Sequence, residues 1–219
     1  MSSSSFLPPL RAALLGLAAL TLAAAPAPAA EAVRPPMTAK AAASTVVVGF
    51  YDALLATMKE GPALKFQGRF DRLSPAVSAA FDLPAMTRVA AGAQWPSLKP
   101  EDQQRLIEAF SHFSIATYAA NFDSFGGERF EVLRETPAPN GGGATIVETR
   151  LTPKSGDPVQ LNYLVRPGKS GLGILDVYVN GTISELAARR SEFASVLNSK
   201  GADGLYQLLE TRSRELAAR

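Results

Sequence analysis

Val159-Gln160-Leu161-Asn162-Tyr163-Leu164-Val165-Arg166 decides the fold. Val159, Leu161, Tyr163 and Val165 fall on one side of an extended chain, and Gln160, Asn162 and Arg166 on the other. That period of two predicts a strand with one face buried and one wet. The same period recurs on both sides. Arg129 to Glu135 alternates, with Phe130 and Val132 together. Ala144 to Thr152 sets Val147 and Leu151 against Ile146, Glu148 and Arg150. Leu175, Val177 and Val179 oppose Ile174, Asp176 and Tyr178. Short turns rich in Gly, Pro, Ser and Asp link the runs, so the reading is a four-stranded antiparallel meander.

Outward from the sheet the period changes to that of helices. Upstream, Met37 to Glu60 carries Val47, Tyr51, Leu54 and Met58 on one stripe, and Gly61-Pro62 is expected to end it. Leu64 to Phe81 reads as helix with a break, Ser74-Pro75 capping a new start. Pro84 opens a short helix to about Ala91, Trp95 to Leu98 is a loop, and a longer helix runs from Pro100 to about Phe125. Its face carries Leu106, Phe110, Phe113 and Thr117, and Glu101 and Asp102 suit its positive N-terminal end. Downstream of Gly181, Thr182 or Ser184 caps a helix with Ile183, Leu186, Phe193 and Leu197, interrupted at Gly201. The fold class is therefore α+β, with N-terminal and C-terminal helices packed on one apolar face of the sheet.

The first residues read as an address. Arg11 precedes an apolar run, Ala12 to Ala25, too short for a comfortable membrane span of about 20 residues. Ala27-Pro28-Ala29 offers small residues where a signal peptidase cuts, so residues 1–29 are expected to be a signal peptide and 30–219 a single domain. An uncleaved anchor is the competing reading. A cleaved leader would place the protein outside the cytoplasm.

Composition narrows the function. The 219 residues hold 22 Lys and Arg against 20 Asp and Glu, and no basic stripe of the kind nucleic-acid binding requires. With no cysteine there are no disulfides, thiolate metal sites or Cys nucleophiles. One histidine, His112, rules out multi-His metal sites. His112 neighbours Phe110 and Phe113, with no G-x-S-x-G elbow in the chain, and reads as structural rather than catalytic. Asn140 to Gly143 lacks the Lys-Ser or Lys-Thr of a phosphate loop and reads as a turn. Asn180-Gly181-Thr182 fits a glycosylation triplet but more simply marks a turn into the last helical region. Neither a metal nor a cofactor is expected, nor is an enzyme. Phe66, Phe70, Phe81, Phe110, Phe113, Phe122 and Phe125 precede the sheet. Pattern alone leaves open whether such aromatics fill a core or line a pocket.

Several stretches, taken in order, carry a resemblance. Gln67-Gly68-Arg69-Phe70-Asp71-Arg72-Leu73-Ser74-Pro75-Ala76-Val77 leads into Ala80-Phe81-Asp82-Leu83-Pro84. Tyr118-Ala119-Ala120-Asn121-Phe122-Asp123-Ser124-Phe125 and Gly127-Glu128-Arg129-Phe130-Glu131-Val132 follow. Then come Asp176-Val177, Val179-Asn180-Gly181-Thr182-Ile183-Ser184, Arg190-Ser191-Glu192-Phe193 and Gly201-Ala202-Asp203-Gly204-Leu205. Together these resemble the MlaC / toluene-tolerance family of periplasmic lipid carriers, and more narrowly its hopanoid biosynthesis-associated HpnM branch.

The resemblance implies a soluble, non-catalytic shuttle that buries a lipid between sheet and helices. It implies exchange of that lipid with an inner-membrane transport complex of the ABC type, and leaves the cargo open between a hopanoid and a phospholipid. The physics is compatible: each buried methylene is worth about 0.8 kcal/mol, so about fourteen of them leave water with about 11 kcal/mol. Strand alternation nominates Val147, Leu151, Leu161, Tyr163, Val165, Val177 and Val179 as the lipid-facing wall, with Phe110, Phe113 and Phe193 opposite. Tyr163 is the expected polar tip near a headgroup, and Arg189 and Arg190 read as solvated helix charges that could also meet a headgroup or partner. The alternative function is a periplasmic adaptor that binds partner proteins without a lipid cargo.

Overall fold

The computed structural model describes residues 42–139, 142–169 and 171–218. The expected signal segment, the start of the first helix before Ala42, and Asn140 and Gly141 of the glycine-rich loop lie outside the described residues.

Helix α1 (Ala43–Ala80) lays its stripe of Val47, Tyr51, Leu54 and Met58 into the core. Its N-terminus has no cap of its own, and the Ser44 amide donates instead to the Glu135 carboxylate at 2.6 Å. An acid there answers the positive end of the helix dipole. Gly61-Pro62 does not end the helix as expected. Gly61 is held against the backbone at Asp123: a Cβ on it would stand 2.1 Å from the Asp123 carbonyl oxygen. The break comes at Lys65 (φ 52, ψ −173), and Arg69 spans it, donating from Nη1 to the Gly61 carbonyl at 3.0 Å and from Nε to the Ala119 carbonyl at 2.7 Å. Nor does Ser74-Pro75 start a new helix. The helix runs through Pro75 because Leu73 and Val77, both fully buried, anchor the turns around it.

Helix α2 (Leu83–Ala91) starts at an Asp82 cap, whose Oδ1 accepts from the Ala85 amide at 3.1 Å. A 3-10 turn, Gly92–Ser97, stands where a loop was expected. Helix α3 (Pro100–Asn121) buries Leu106, Phe110, Phe113 and Thr117 as its stripe requires. It stops four residues short of the expected end, because Phe122 leaves helical geometry (φ −116, ψ 60) and the chain turns toward Gly61.

The sheet is a meander, β1 (Arg129–Pro137), β2 (Thr145–Thr152), β3 (Val159–Gly168), β4 (Gly171–Val179) and β5 (Ile183–Ser184), every neighbour antiparallel. It has five strands, not four. Asn180 and Gly181 both take positive φ (53 and 76), and with Thr182 they make the three-residue loop between the paired Val179 and Ile183. The turn folds Ile183 and Ser184 back onto Val179 and Tyr178 before the last helix begins.

A second departure concerns faces. Val165 pairs with Ile174 and Leu164 with Asp176, so Leu175 is an extra residue bulged out of β4. The bulge moves Ile174, fully buried, to the inner side with Val177 and Val179, and leaves Leu175 half-buried. The sequence had paired Leu175 with those two valines.

Ser184 caps α4 (Glu185–Ala217), accepting from the Ala187 amide at 2.8 Å. Asp176 supports the same corner, with Oδ1 accepting from the Val177 and Leu186 amides and Oδ2 from the Ser184 hydroxyl at 2.6 Å. Gly201 (φ 65, ψ −167) bends α4 as expected. Helices and inner sheet face share one hydrophobic core. Among the described residues no helix is long and apolar enough to cross a membrane.

Candidate functional site

The layer between helices and sheet is the candidate site. Register sets its floor. Val147 stands opposite Tyr163, Thr149 opposite Leu161, Tyr163 opposite Val177, and Leu161 opposite Val179. Residues paired across antiparallel strands share a face, so Val147, Leu151, Leu161, Tyr163, Val165, Val177 and Val179 lie on one surface. All seven, with Phe110, Phe113 and Phe193, are 5% exposed or less. They belong to one contiguous apolar cluster.

Two groups of rings pack in and beside this layer. The first joins helices to sheet. Tyr51 of α1 lies 4.6 Å from Phe130 and 5.7 Å, edge-on, from Tyr163. Phe50 meets Phe81 and Tyr118 at 5.1 and 5.0 Å, and Phe122 meets Phe130 at 6.1 Å. The second group runs between α3 and α4: Phe110 and Phe193 are 6.0 Å apart at right angles, and the Arg189 guanidinium lies 5.2 Å from the Phe113 ring. The rings that meet the sheet are thus Tyr51 and Phe122, with Phe50, Phe81 and Tyr118 behind them. Tyr51 was visible as part of the α1 stripe. Phe122 stood among the aromatics before the sheet with no face assigned to it, and Ile174 was set on the opposite face, because the bulge at Leu175 shows only in the pairing with β3.

The apolar floor carries one polar chain. Tyr163 hydrogen-bonds Tyr51, whose hydroxyl lies 2.7 Å from Thr149 Oγ1, and Thr149 in turn donates to the Leu161 carbonyl at 2.6 Å. Burial pushes the Tyr51 phenol up to about 12, against the pull of those hydrogen bonds, and drives Tyr118 and Tyr163 well up too. All three are neutral donors at any ordinary pH. The Tyr163 hydroxyl therefore lies inside the layer on Tyr51, not at an exposed mouth.

Arg189 corrects another expectation. It is 2% exposed, not solvated, lies 3.6 Å from Glu192 and rests against Phe113. Glu192 is also gripped by Arg212, whose Nη1 donates at 2.8 Å and whose Nη2 reaches the second oxygen. Arg190 is exposed. One turn earlier, burial pushes the Glu185 carboxyl up to about 7, with Arg189 opposing and Asp176 adding to the shift. His112 is exposed and lies against Phe70, ring centroids 4.8 Å apart. Among the described residues no group of three His, Asp or Glu side chains is placed to hold a metal.

With this geometry in hand, two comparisons locate the fold among known proteins. The family model described as MlaC protein matches residues 49–211, which span α1 to the last turns of α4. A phospholipid-binding protein from Ralstonia solanacearum, solved in complex with a phospholipid, superposes with a TM-score of 0.70. It is 26% identical, and the match covers 81% of this chain and 99% of that one.

Proposed function

This chain belongs to the MlaC family, and on that premise we propose that it is a lipid-binding carrier. The observation that carries the reading is the match to a protein solved with a phospholipid bound, over nearly the whole length of that protein. The inner surface described above suits acyl chains or fused rings: it is apolar, continuous and bounded by neutral phenols. We assign Val147, Leu151, Leu161, Tyr163, Val165, Val177 and Val179 to one wall of the lipid site and Phe110, Phe113 and Phe193 to the helices across from it.

The finer reading is a periplasmic shuttle, exported by a leader cleaved after Ala29, that passes a hopanoid or a phospholipid to an inner-membrane ABC-type complex. The ordered stretches that resemble the HpnM branch support it, as does the short apolar run before Ala27-Pro28-Ala29. One observation favours the adaptor alternative: the nominated residues pack against one another as a closed core.

Native mass spectrometry of the mature protein from bacterial periplasm, followed by lipid extraction, separates the two. A stoichiometric lipid adduct is expected, and its mass distinguishes phospholipid from hopanoid. Bare protein from a hopanoid-producing host would put the adaptor first.

A further inference from the structure

A groove of about 580 Å³ opens where the end of α1, the start of α2 and the β3–β4 hairpin converge. The chain between the two helices builds it. Phe81 bridges to Ile174 in parallel, and the Asp82 amide donates to the Ile174 carbonyl at 2.9 Å. Gly173 permits that approach, since a Cβ there would lie 3.2 Å from the Asp82 Cβ.

The lining is cationic. Arg88, Arg166 and Lys169 face one acid, Asp82, a surplus of two positive charges. Asp82 is already occupied: Oδ1 caps α2, and Oδ2 meets Arg166 Nη2 only at 3.4 Å. Arg166 Nε is buried and has no hydrogen-bond acceptor among the described residues. A part-exposed guanidinium spent on one long ion pair, beside two further cations, calls for an anion with several acceptor oxygens. The N-terminal end of α2 adds to the same positive field.

The groove also touches the apolar layer. Phe81 lines it and is at the same time the ring that packs on Phe50 and Tyr118. One side chain thus separates the cationic groove from the lipid-facing core.

We propose that this groove binds the phosphate of a lipid headgroup, through Arg88, Arg166 and Lys169. The assignment rests on the lipid-carrier reading and adds to it the polar end of the cargo. A free phosphate offers the same oxygens but has no use for the Phe81 wall, which favours the lipid as their source.

The test is uptake from vesicles containing equal amounts of phosphatidylglycerol and a diacylglycerol with the same acyl chains. Arg88 and Lys169 are exposed, so Arg88→Gln/Lys169→Gln leaves the packing intact. The ratio of phosphatidylglycerol to diacylglycerol bound is expected to fall about tenfold or more. Arg166→Gln, checked by its melting curve, is expected to lower it further. Arg150→Gln, on the outer sheet face, is the control and should leave the ratio alone. Inorganic phosphate should compete for phosphatidylglycerol and not for diacylglycerol. An unchanged ratio with both lipids still bound overturns the headgroup site and leaves the carrier standing. Binding of inorganic phosphate to the groove with no effect on the ratio overturns it in favour of a free anion. Uptake of neither lipid by the unsubstituted protein overturns the carrier reading and this site with it.

Discussion

The Tyr51 hydroxyl stands 2.7 Å from Thr149 Oγ1, and because Thr149 spends its own proton on the Leu161 carbonyl, Tyr51 is the donor. The pair stitches α1 to the middle of β2 across 98 residues of sequence.

Tyr51→Phe should cost about 1–2 kcal/mol, since it strips the Tyr163 hydroxyl of its acceptor as well as removing the bond. Thr149→Val should cost about as much. The double substitution should cost clearly less than the sum, because the links of one hydrogen-bonded chain fail together. Urea unfolding of the four proteins measures this, and strict additivity would disprove the chain.

Val177→Trp should cut the lipid carried per protein several-fold. Val177 is buried beside Tyr163 on the inner face, where an indole fills the space acyl chains would take. Overpacking should also lower stability by about 1–3 kcal/mol, so circular dichroism is read alongside lipid extraction. A folded variant carrying as much lipid as the unsubstituted protein would move the site elsewhere.

Lys65→Gly should raise stability by about 1 kcal/mol. Lys65 holds φ 52 and ψ −173, a region that suits glycine, and Gly201 adopts nearly the same angles (65, −167) at the bend of α4. The Lys65 side chain is exposed, so little contact is lost. A thermal midpoint higher by about 2–4 °C is expected. A lower one would mean that the side chain, not the backbone, fixes the break.

Glu185→Gln should change how stability varies with pH. The carboxyl titrates near 4.5 when unfolded and at about 7 when folded, chiefly because of burial. The folded state therefore holds the proton more tightly, and wild-type stability falls as pH rises from about 4.5 to about 7. The variant escapes that loss. It should match the wild type near pH 4 and exceed it at pH 8 by on the order of 1 kcal/mol, discounted because the group is partly exposed. A constant difference across the range would rule out titration of Glu185 as the cause.

Much of the architecture was legible in the sequence because it is local. A period of two in β3 and a stripe of Val47, Tyr51, Leu54 and Met58 in α1 each follow from backbone geometry within one element. The ordered stretches from Gln67 to Leu205 likewise point to the MlaC family from the sequence itself.

The remaining features depend on residues far apart in the chain. A one-residue bulge at Leu175 turns Ile174 inward in its place while Val177 and Val179 keep the inner face, and pairing with β3 sets it, not the composition of β4. Arg189 is buried because α3 brings Phe113 over it, which no charge count on α4 foretells. Asp82 and Arg166 meet across 84 residues to form the cationic groove. Side-chain periodicity fixes faces one element at a time, while register shifts, buried charges and clefts arise where separate elements meet.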